Sequence, residues 1–429
     1  MDRLTTFLQE KVMPTANKIA NQRHLAALRD AMVLTIPFII IGSLFLILAS
    51  FPIPAYTEFL ANHGWLREAF MFAFNATFNI VALIATIGLG YRLGESYSVD
   101  PISTATISLA SFFVVTPNFT ATVADATLTG ISTSYFSSQG MFVGLVCAII
   151  STEIYRFIIQ KDLTIKMPDG VPPTVSKSFT SIVPGFFVIV VMVITRMVIE
   201  NFTGFDSVYH LIQVILELPL RNLGTSLIGT IFVFLIINLL WCIGLHGSVI
   251  ANSVMLPVWL QLTSENAAAH AAGEAIPNIV SAEFRYLIFV GGSGATLGLV
   301  IAMLFFAKSD QLKQLGKLGI LPGIFGINEP VLFGFPIVFN PIMWIPFLIM
   351  PVVTVLLTYL SMQFGLVHMP IGVLPPGTTP PLIGGYLMTG SLSGSVLQLV
   401  ILIVSFLVYF PFFKMVDRQK YNEEQGVKV

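Results

Sequence analysis

The chain is poor in charge. Only 10% of its 429 residues are Asp, Glu, Lys or Arg, whereas ordinary soluble domains carry about 25%. The formal net charge of −1 gives no indication of a nucleic-acid partner, and none is expected. With 55% hydrophobic residues and a mean hydropathy of +0.86, many uncharged runs are long enough to span a bilayer. The sequence therefore predicts a polytopic membrane protein without a soluble domain, and any soluble chemistry it needs must come from a partner.

Cysteine is also scarce. Cys147 and Cys242 are the only two, and both lie in apolar runs away from any metal-ligand spacing, so inert packing is expected. No metal-binding or Ser-His-Asp constellation is present, and we expect neither a metal nor a cofactor. The Gly-rich run at 291–294 follows no predicted strand, which argues against a dinucleotide site. Gly294 and Gly298 instead predict close helix packing.

The predicted fold class is an all-α polytopic membrane protein with about ten transmembrane helices, re-entrant hairpins and amphipathic interfacial helices. Helices are favoured over strands because each apolar run is continuous over about 20 residues rather than alternating. Residues 2–30 and 204–222 mix charged and apolar positions, which predicts amphipathic helices at the membrane face. The predicted spans cover residues 31–51, 71–91, 101–117, 139–159, 181–203, 225–245, 248–262, 284–307, 339–361 and 391–413.

The basic residues indicate how the chain is oriented in the membrane. With ten crossings and the N-terminus inside, seventeen of the 21 Lys and Arg residues fall on the inner side. Only Arg67, Arg221 and Arg285 fall in outer loops. Arg196 lies within a span, four residues before Glu200, and predicts a helix-face ion pair. Because basic residues favour the cytoplasmic side, both termini are predicted to be cytoplasmic.

Two apolar segments, 318–338 and 365–388, are rich in Gly and Pro, so neither can be a straight lipid-facing helix. Leu245–Asn252 is a third candidate interruption. Non-helical backbone at membrane depth is tolerated where it lines a cavity or is buried in protein. Interrupted segments of this kind often mark the binding site of a transporter.

Glu329 is the only formally charged side chain between Lys317 and Lys414. A lone carboxylate in apolar surroundings costs several kcal/mol unless it is bound, protonated or hydrated. One interpretation is structural: the carboxylate caps a helix that begins just before Pro330. The other is functional: Glu329 faces a hydrated cavity, where it binds a polar substrate or accepts a proton from a substrate hydroxyl.

His246 is the second isolated polar residue, because no acidic or basic side chain lies between Arg221 and Glu265. A neighbouring helix could satisfy it, or it could hydrogen-bond a ligand or Glu329. Asn252 is close enough in sequence to share its cavity. Trp241 is either a sugar-stacking platform or an interfacial tryptophan. Asn328, Thr378 and Thr379 add polar groups within the Gly- and Pro-rich segments, and complete the predicted substrate-binding set.

These motifs, taken together and in this order, resemble one family along the whole chain. The chain resembles the membrane-embedded IIC component of the bacterial phosphoenolpyruvate-dependent sugar phosphotransferase system, in its lactose, N,N'-diacetylchitobiose and cellobiose branch. The motifs are the stretch at 166–179 (Lys-Met-Pro-Asp-Gly-Val-Pro-Pro-Thr-Val-Ser-Lys-Ser-Phe), Leu245-His-Gly247, Gly326-Ile-Asn-Glu-Pro330, Phe339-Asn-Pro341 and Thr378-Thr-Pro-Pro381.

The resemblance implies a division of labour along the chain. Residues 1–203 would form a dimerisation scaffold, residues 204–222 a linker helix, and residues 223–429 the sugar-binding half with two re-entrant hairpins. Glu329 would bind the 6-hydroxyl of the non-reducing sugar and assist its phosphorylation, and His246 would bind the sugar nearby. The phosphoryl group would come from a phosphocysteine on a separate cytoplasmic IIB protein, itself supplied by IIA. The protein would be a homodimer in the bacterial cytoplasmic membrane.

One position departs from the family pattern. Members of this branch often carry Trp just before the Thr-Thr-Pro motif, where this chain has Gly377. The loss of that aromatic platform leaves the choice among cellobiose, diacetylchitobiose and lactose open. Two other functions compete with this one. A proton-coupled secondary transporter would use Glu329 as its proton site, and an enzyme acting on lipid-linked sugars would need an acidic or metal-binding cluster near a membrane face, which the sequence lacks.

Overall fold

The fold is described here from a computed structural model, which covers residues 22–50, 54–123, 126–168, 170–335 and 337–426. Within these ranges the protein is almost entirely helical. The first predicted amphipathic segment, residues 2–30, lies largely outside the described residues. Its last part, from Arg23 onward, is the beginning of the first long helix.

The described residues between Arg23 and Phe202 form a bundle of helices. Helices α1, α3, α4, α5, α6 and α8 of this bundle pack directly against one another. The described helices here are α1 (Arg23–Ser50), α2 (Pro54–Asn62), α3 (Gly64–Phe78), α4 (Val81–Ser96), α5 (Pro101–Val115), α6 (Met141–Gln160), α7 (Pro173–Thr180) and α8 (Ile182–Phe202).

A β-hairpin corrects the all-α prediction. Strands β1 (Phe119–Val123) and β2 (Ala126–Gly130) pair antiparallel, with Thr120 opposite Thr129. Each strand has only five residues, so the alternation of small, polar and apolar side chains is too short to stand out beside the long helical runs. The hairpin follows α5, in the stretch between two predicted spans.

A bent helical segment connects the first bundle to the rest of the chain. It consists of α9 (Val208–Ile212), a π-helical turn (Gln213–Glu217) and α10 (Leu218–Thr225). This segment overlaps the amphipathic linker predicted at 204–222. It turns by 83° into the next helix, α11 (Leu227–Cys242), a sharp change of direction that is expected where an interfacial helix enters a membrane span.

The second part of the chain contains long helices alternating with short, broken ones. Its main contact with the first bundle is between α12 and α1. After α11, the described helices are α12 (Gly247–Ala272), α13 (Ala282–Ile288), α14 (Leu297–Phe306), α15 (Asp310–Ile324), α16 (Glu329–Gly334), α17 (Pro341–Gln363), α18 (Ile383–Thr389) and α19 (Leu392–Glu424).

The predicted count of ten crossings is not confirmed. Among the described residues, six helical stretches are long and apolar enough to cross a membrane, or seven if the bent pair ending in α11 is one span. The span predicted at 284–307 is wrong as a single helix, since the chain leaves the helical conformation between α13 and α14. Gly291, Gly292 and Gly294 in this gap all have positive φ angles, which glycine adopts without a steric penalty.

The predicted breaks at 318–338 and 365–388 are confirmed, and a third lies at 243–246, where α11 ends and α12 begins.

Proline inside a helix also frees a main-chain carbonyl, because it lacks the N–H that would bond four residues back. In α17 this affects Phe347, four residues before Pro351. The buried Asn238 side chain compensates by donating to the Phe347 carbonyl at 2.7 Å.

Several smaller predictions are confirmed. Arg196 Nε lies 2.9 Å from Glu200 Oε1, and the same guanidinium donates to the Val114 carbonyl at 2.8 Å. Arg196 therefore serves a packing role between α8 and the end of α5. Cys147 and Cys242 are buried free thiols, as expected for inert packing.

The start of α5 follows ordinary capping rules. Asp100 accepts the Ser103 main-chain N–H at 3.0 Å and Pro101 occupies the first helical turn. Burial alone would raise the pKa of the Asp100 carboxyl, but hydrogen bonds from Ser103 and from Lys177 outweigh it and lower the pKa. Lys177 lies in α7, so this pair ties the connection before α8 to the α5 N-terminus.

Close packing of α14 on α19 depends on Gly298, in agreement with the predicted role of that glycine. A Cβ at this position would lie 2.3 Å from the Phe406 main-chain nitrogen. Gly294 belongs to the turn before α14 rather than to a helix, but it too is closely packed, since a Cβ there would lie 2.4 Å from Phe347 Cε2. The prediction of close packing therefore holds for both glycines, whereas their placement on one helix is wrong.

We predict that Gly298→Ala lowers the free energy of unfolding by about 1–3 kcal/mol, the usual cost of overpacking. Gly204→Ala is the matched control, because nothing lies within 4 Å of a Cβ placed there. SDS titration of the purified protein measures both. Equal stabilities of the two variants would contradict the close α14–α19 packing.

Candidate functional site

A cavity of about 230 Å³ lies where three broken segments of the second part meet. The segments are the turn before α12, the gap between α13 and α14, and the turn before α16. Polar and aromatic side chains dominate the lining. The lining residues are Trp241, His246, Ser248, Val249, Asn252, Arg285, Tyr286, Phe289, Gly292, Ser293, Gly326, Asn328, Glu329 and Gly377.

His246 reaches the cavity because two glycines let the chain turn sharply after α11. Gly244 has a φ angle of +80°. A Cβ at Gly247 would lie 2.0 Å from the Ile237 carbonyl oxygen, so only glycine fits there. His246 Nδ1 accepts the Val249 N–H at 3.3 Å, which caps α12 and leaves Nε2 as the nitrogen that carries a proton in the neutral ring.

Trp241 is part of the cavity wall. Its side chain is only 2% exposed, and its ring centroid lies 4.3 Å from that of His246. An interfacial tryptophan would instead face the lipid headgroups. Trp241 therefore does not face the headgroups, and its indole packs behind the imidazole with almost no surface left for a stacked sugar.

Glu329 is the first residue of the short helix α16, followed by Pro330. Its carboxylate is about half exposed to the cavity, and Oε1 lies 3.8 Å from His246 Nε2. The structural and the functional interpretation of Glu329 are therefore compatible. The carboxylate lies in the first turn of α16, and it also faces the cavity. The gap of 3.8 Å is too long for a direct hydrogen bond, and a hydroxyl group placed beside both atoms can bond each of them.

Asn328 holds this arrangement in place. It is 3% exposed, and its Nδ2 donates to the Ser293 carbonyl at 2.8 Å and to Thr296 Oγ1 at 2.9 Å. Both amide hydrogens are therefore used within the protein. Asn328 fixes the turn before Glu329 to the Gly-rich gap, and only its oxygen is left for other contacts.

Arg285 and Tyr286 complete the polar wall, and the sequence analysis missed both. Arg285 was assigned to an outer loop, but the structure places it in α13, beside the cavity. Its guanidinium donates to Asn252 Oδ1 at 2.7 Å and to the Tyr286 hydroxyl at 3.0 Å. The sequence contains one signal for this wall: Arg285 is a basic residue in an apolar stretch, a few residues before the Gly-rich run at 291–294.

The structure brings five of the seven predicted site residues together: Trp241, His246, Asn252, Asn328 and Glu329 all line the cavity. Thr379 lines a smaller neighbouring cavity that shares Tyr286 and Gly377. Thr378 is exposed and lines neither of these two.

Gly377 lines both cavities, and it presents only its main chain to them. A Cβ at this position would lie 3.2 Å from Tyr286 Cε1, so a side chain at position 377 would press against the Tyr286 ring. Among the described residues no cluster of His, Cys, Asp or Glu has a geometry that could hold a metal ion. The arrangement is suited to binding hydroxyl groups through one acid, one imidazole, one guanidinium and an amide.

Comparison with known proteins agrees with this description. Residues 29–351 match the family described as "Phosphotransferase system, EIIC". The chain is 47% identical to the lichenan permease IIC component of Bacillus subtilis (strain 168), over 100% of this chain and 97% of that protein. It is 48% identical to the cellobiose-specific EIIC component of Geobacillus stearothermophilus, over 99% and 97% of the two chains.

A solved structure has the same fold. The crystal structure of ChbC, the IIC component from the N,N'-diacetylchitobiose-specific phosphotransferase system, superimposes with a TM-score of 0.93 at 46% identity. The match covers 98% of this chain and 100% of that one. Together with the long apolar helices, these likenesses make the protein an integral membrane protein.

The role of Asn328 can be tested separately from sugar binding. Asn328→Asp removes both amide donors and places a carboxylate against two oxygen atoms, so we expect the free energy of unfolding to fall by about 1–3 kcal/mol. Asn201→Asp is the control, since Asn201 is exposed and makes one hydrogen bond, to the Met197 carbonyl. SDS titration compares them, and an Asn328→Asp variant as stable as the control would refute the positioning role.

Proposed function

Because the chain belongs to the EIIC family of the phosphotransferase system, we propose that it is the permease that binds and translocates a disaccharide, coupled to 6-phosphorylation by a separate IIB protein. Cellobiose and N,N'-diacetylchitobiose are the preferred substrates, and lactose is the third candidate. The names of the similar permeases from B. subtilis and G. stearothermophilus, and of ChbC, support a disaccharide or short oligosaccharide.

The observation that carries this proposal is the pairing of His246 and Glu329 across the cavity, 3.8 Å apart. A sugar hydroxyl between them can donate to the carboxylate and accept from the imidazole. Arg285, held by Asn252 and Tyr286, supplies further donors for neutral oxygens. Tyr286 provides an apolar ring face of the kind against which sugar rings pack, and Trp241 supports the His246 ring from behind. Thr379 lies in the neighbouring cavity and Thr378 next to it, where they can reach the distal part of a disaccharide.

The proposed chemistry uses Glu329 as the base. The 6-hydroxyl oxygen of the non-reducing sugar attacks the phosphorus of the IIB phosphocysteine. An O–P bond forms, the P–S bond breaks, and the cysteine leaves as a thiolate. Glu329 accepts the hydroxyl proton, a role worth about 10²–10⁴-fold in rate. His246 holds the sugar so that the 6-hydroxyl lies against the carboxylate.

The coupling has a thermodynamic reason. A neutral sugar has no charge through which the membrane potential could drive its accumulation, so uptake against a gradient needs ion coupling or chemical trapping. Phosphorylation on the inner side converts the sugar into an anion that cannot return through the same site. The phosphoryl group reaches IIB from IIA, and this chain holds the acceptor.

The two parts of the chain are proposed to have separate roles. Residues 1–203 form the scaffold and the homodimer contact, residues 204–222 the linker, and residues 223–429 the moving sugar-binding half. The 83° bend after the linker and the contact of α12 with α1 as the main junction between the parts support this division. Both termini are proposed to be cytoplasmic, in the bacterial cytoplasmic membrane.

One observation favours the alternative, a proton-coupled secondary sugar transporter. Glu283, two residues before Arg285, is 0% exposed, and its Oε2 accepts the Thr263 hydroxyl at 2.6 Å. No basic side chain of the described residues lies within ion-pair distance of it. This second, buried carboxyl could serve a proton relay together with Glu329.

Uptake by membrane vesicles distinguishes the two functions. Vesicles containing the protein are given radiolabelled cellobiose, diacetylchitobiose or lactose, with and without phosphorylated IIB. We expect the sugar to appear inside as its 6-phosphate, and only with phosphorylated IIB. Unmodified sugar accumulating with a proton gradient alone would instead support the secondary transporter, with Glu329 as its proton site.

A second prediction concerns the base. Glu329→Gln keeps a hydrogen-bonding group of the same shape but removes the proton acceptor, so sugar phosphorylation should fall by about 10²–10⁴-fold while sugar binding is retained. Phosphotransfer from IIB and calorimetric titration of the same preparation measure the two. Normal phosphorylation by this variant would remove Glu329 from the proposed role.

His246→Ala serves as the contrasting variant. The loss of one hydrogen-bond partner in the cavity should weaken sugar affinity by about 1–3 kcal/mol, so this variant should lose sugar binding before it loses the phosphorylation chemistry. If both variants lost binding and turnover in parallel, the separate roles assigned to the two residues would be wrong.

A further inference from the structure

A second polar cavity lies apart from the sugar site, at the junction between the two parts of the chain. Its volume is about 370 Å³, within the range of small-molecule sites. We call it the junction cavity. The side chains on which its chemistry depends are Tyr135, Gln139, Tyr209, Gln213, Glu217 and Gln261.

The walls of the junction cavity come from three separate regions. Tyr135 and Gln139 precede α6 in the first bundle, Tyr209 and Gln213 belong to the linker segment, and Gln261 lies on α12. A ligand in this cavity therefore touches the scaffold, the linker and the sugar-binding half at once. The same helix, α12, contributes Asn252 to the sugar site.

Glu217 is the buried anchor of the cavity. It is 6% exposed, and Gln261 Nε2 donates to its Oε1. Its other oxygen accepts no hydrogen bond from the described residues. Glu217 reaches this position because residues 213–217 form a π-helical turn, a local widening that is frequent at functional sites.

Two more polar groups are free to bind a ligand. The side-chain amides of Gln139 and Gln213 are exposed and have no hydrogen-bond partner among the described residues. Beside them, the rings of Tyr135 and Tyr209 lie 4.6 Å apart, inclined by 59°. Carboxylate, amides and aromatic faces together are the groups that recognise polyhydroxylated rings.

The charged residues around the junction cavity argue against anionic ligands and metal ions. Arg221, in the same wall, is paired with Glu265 through two hydrogen bonds of 2.7 Å each, and it also donates to Asn278 Oδ1. His210 lines the cavity too, and its Nδ1 lies 3.7 Å from Asp206 Oδ2. Each basic side chain of the lining therefore already faces a carboxylate, which argues against a phosphate or carboxylate ligand. The described residues also contain no metal-binding group of side chains. A neutral ligand with several hydroxyl groups fits what remains.

We propose that the junction cavity is a second saccharide-binding site, which the sugar occupies before it reaches the site at His246 and Glu329. This inference rests on the proposed function, since it takes the sugar as substrate. Gln261 is nine residues beyond Asn252 on α12, or about 14 Å along the helix axis. The orientation proposed from the basic residues puts Arg221, and with it this cavity, on the outer side.

The test counts bound sugar. Purified full-length protein is dialysed to equilibrium against radiolabelled cellobiose or diacetylchitobiose over a wide concentration range. We expect two sugars per protomer for the wild-type protein, and for His246→Ala a weakening of one of the two sites by about 1–3 kcal/mol, as given above. The double variant Gln139→Ala/Gln213→Ala should weaken sugar affinity at the other site, the junction cavity, by roughly tenfold or more, because two hydrogen bonds are lost. Gln363→Ala, an exposed glutamine at the end of α17, should retain two.

Uptake kinetics give an independent readout. The double variant should raise the KM of uptake with the maximal rate unchanged, because the chemistry at Glu329 is intact. One sugar per protomer in the wild-type protein, weakened by His246→Ala and unaffected by the double variant, would overturn the second site and leave the proposed function standing. No sugar bound by any form would overturn both.

Discussion

Buried side-chain amides that hydrogen-bond the main chain are the interaction on which this fold depends. A helix that breaks inside a membrane exposes N–H and C=O groups that lipid cannot satisfy, and each unsatisfied group costs about 1–3 kcal/mol. Here Asn238 bonds the carbonyl freed by a proline in α17. Asn266 bonds the carbonyls of Asn278 and Pro370, and Asn328 bonds that of Ser293.

Gln398 completes the set on α19. Its oxygen accepts the N–H groups of Leu382 and Gly385 at 2.7 and 2.8 Å, and its nitrogen donates to the Tyr286 carbonyl. These amides let the chain leave the helical conformation several times without losing its hydrogen bonds. The breaks are what bring His246, Arg285 and Glu329, which are far apart in sequence, to one cavity. The same polar groups that make the membrane fold possible thus also position the site.

The sequence was enough to predict the membrane class, most of the long helices and the two central side chains, and the reason is physical. Glu329 and His246 stand out because charge and imidazole are rare in apolar stretches. Arg285 was not predicted as a site residue, because a basic residue at the end of a predicted span is also expected when it only lies in a loop. The gap between α13 and α14 was missed because a Gly-rich run is equally compatible with close helix packing, and only the positive φ angles at Gly291 and Gly292 distinguish the two.

Under the proposed function, the Glu329 carboxylate also favours release of the phosphorylated sugar. A neutral sugar binds beside Glu329 without electrostatic cost, whereas a phosphorylated sugar carries about −1.5 to −2 charges near neutral pH. If Glu329 transfers the proton onward, the restored carboxylate repels the phosphate next to it. Arg285 keeps its positive charge, because its partners Asn252 and Tyr286 are neutral, and it offsets part of this repulsion. The Glu329 carboxylate therefore distinguishes the neutral substrate from the anionic product by charge, and Arg285 limits how strongly the product is repelled.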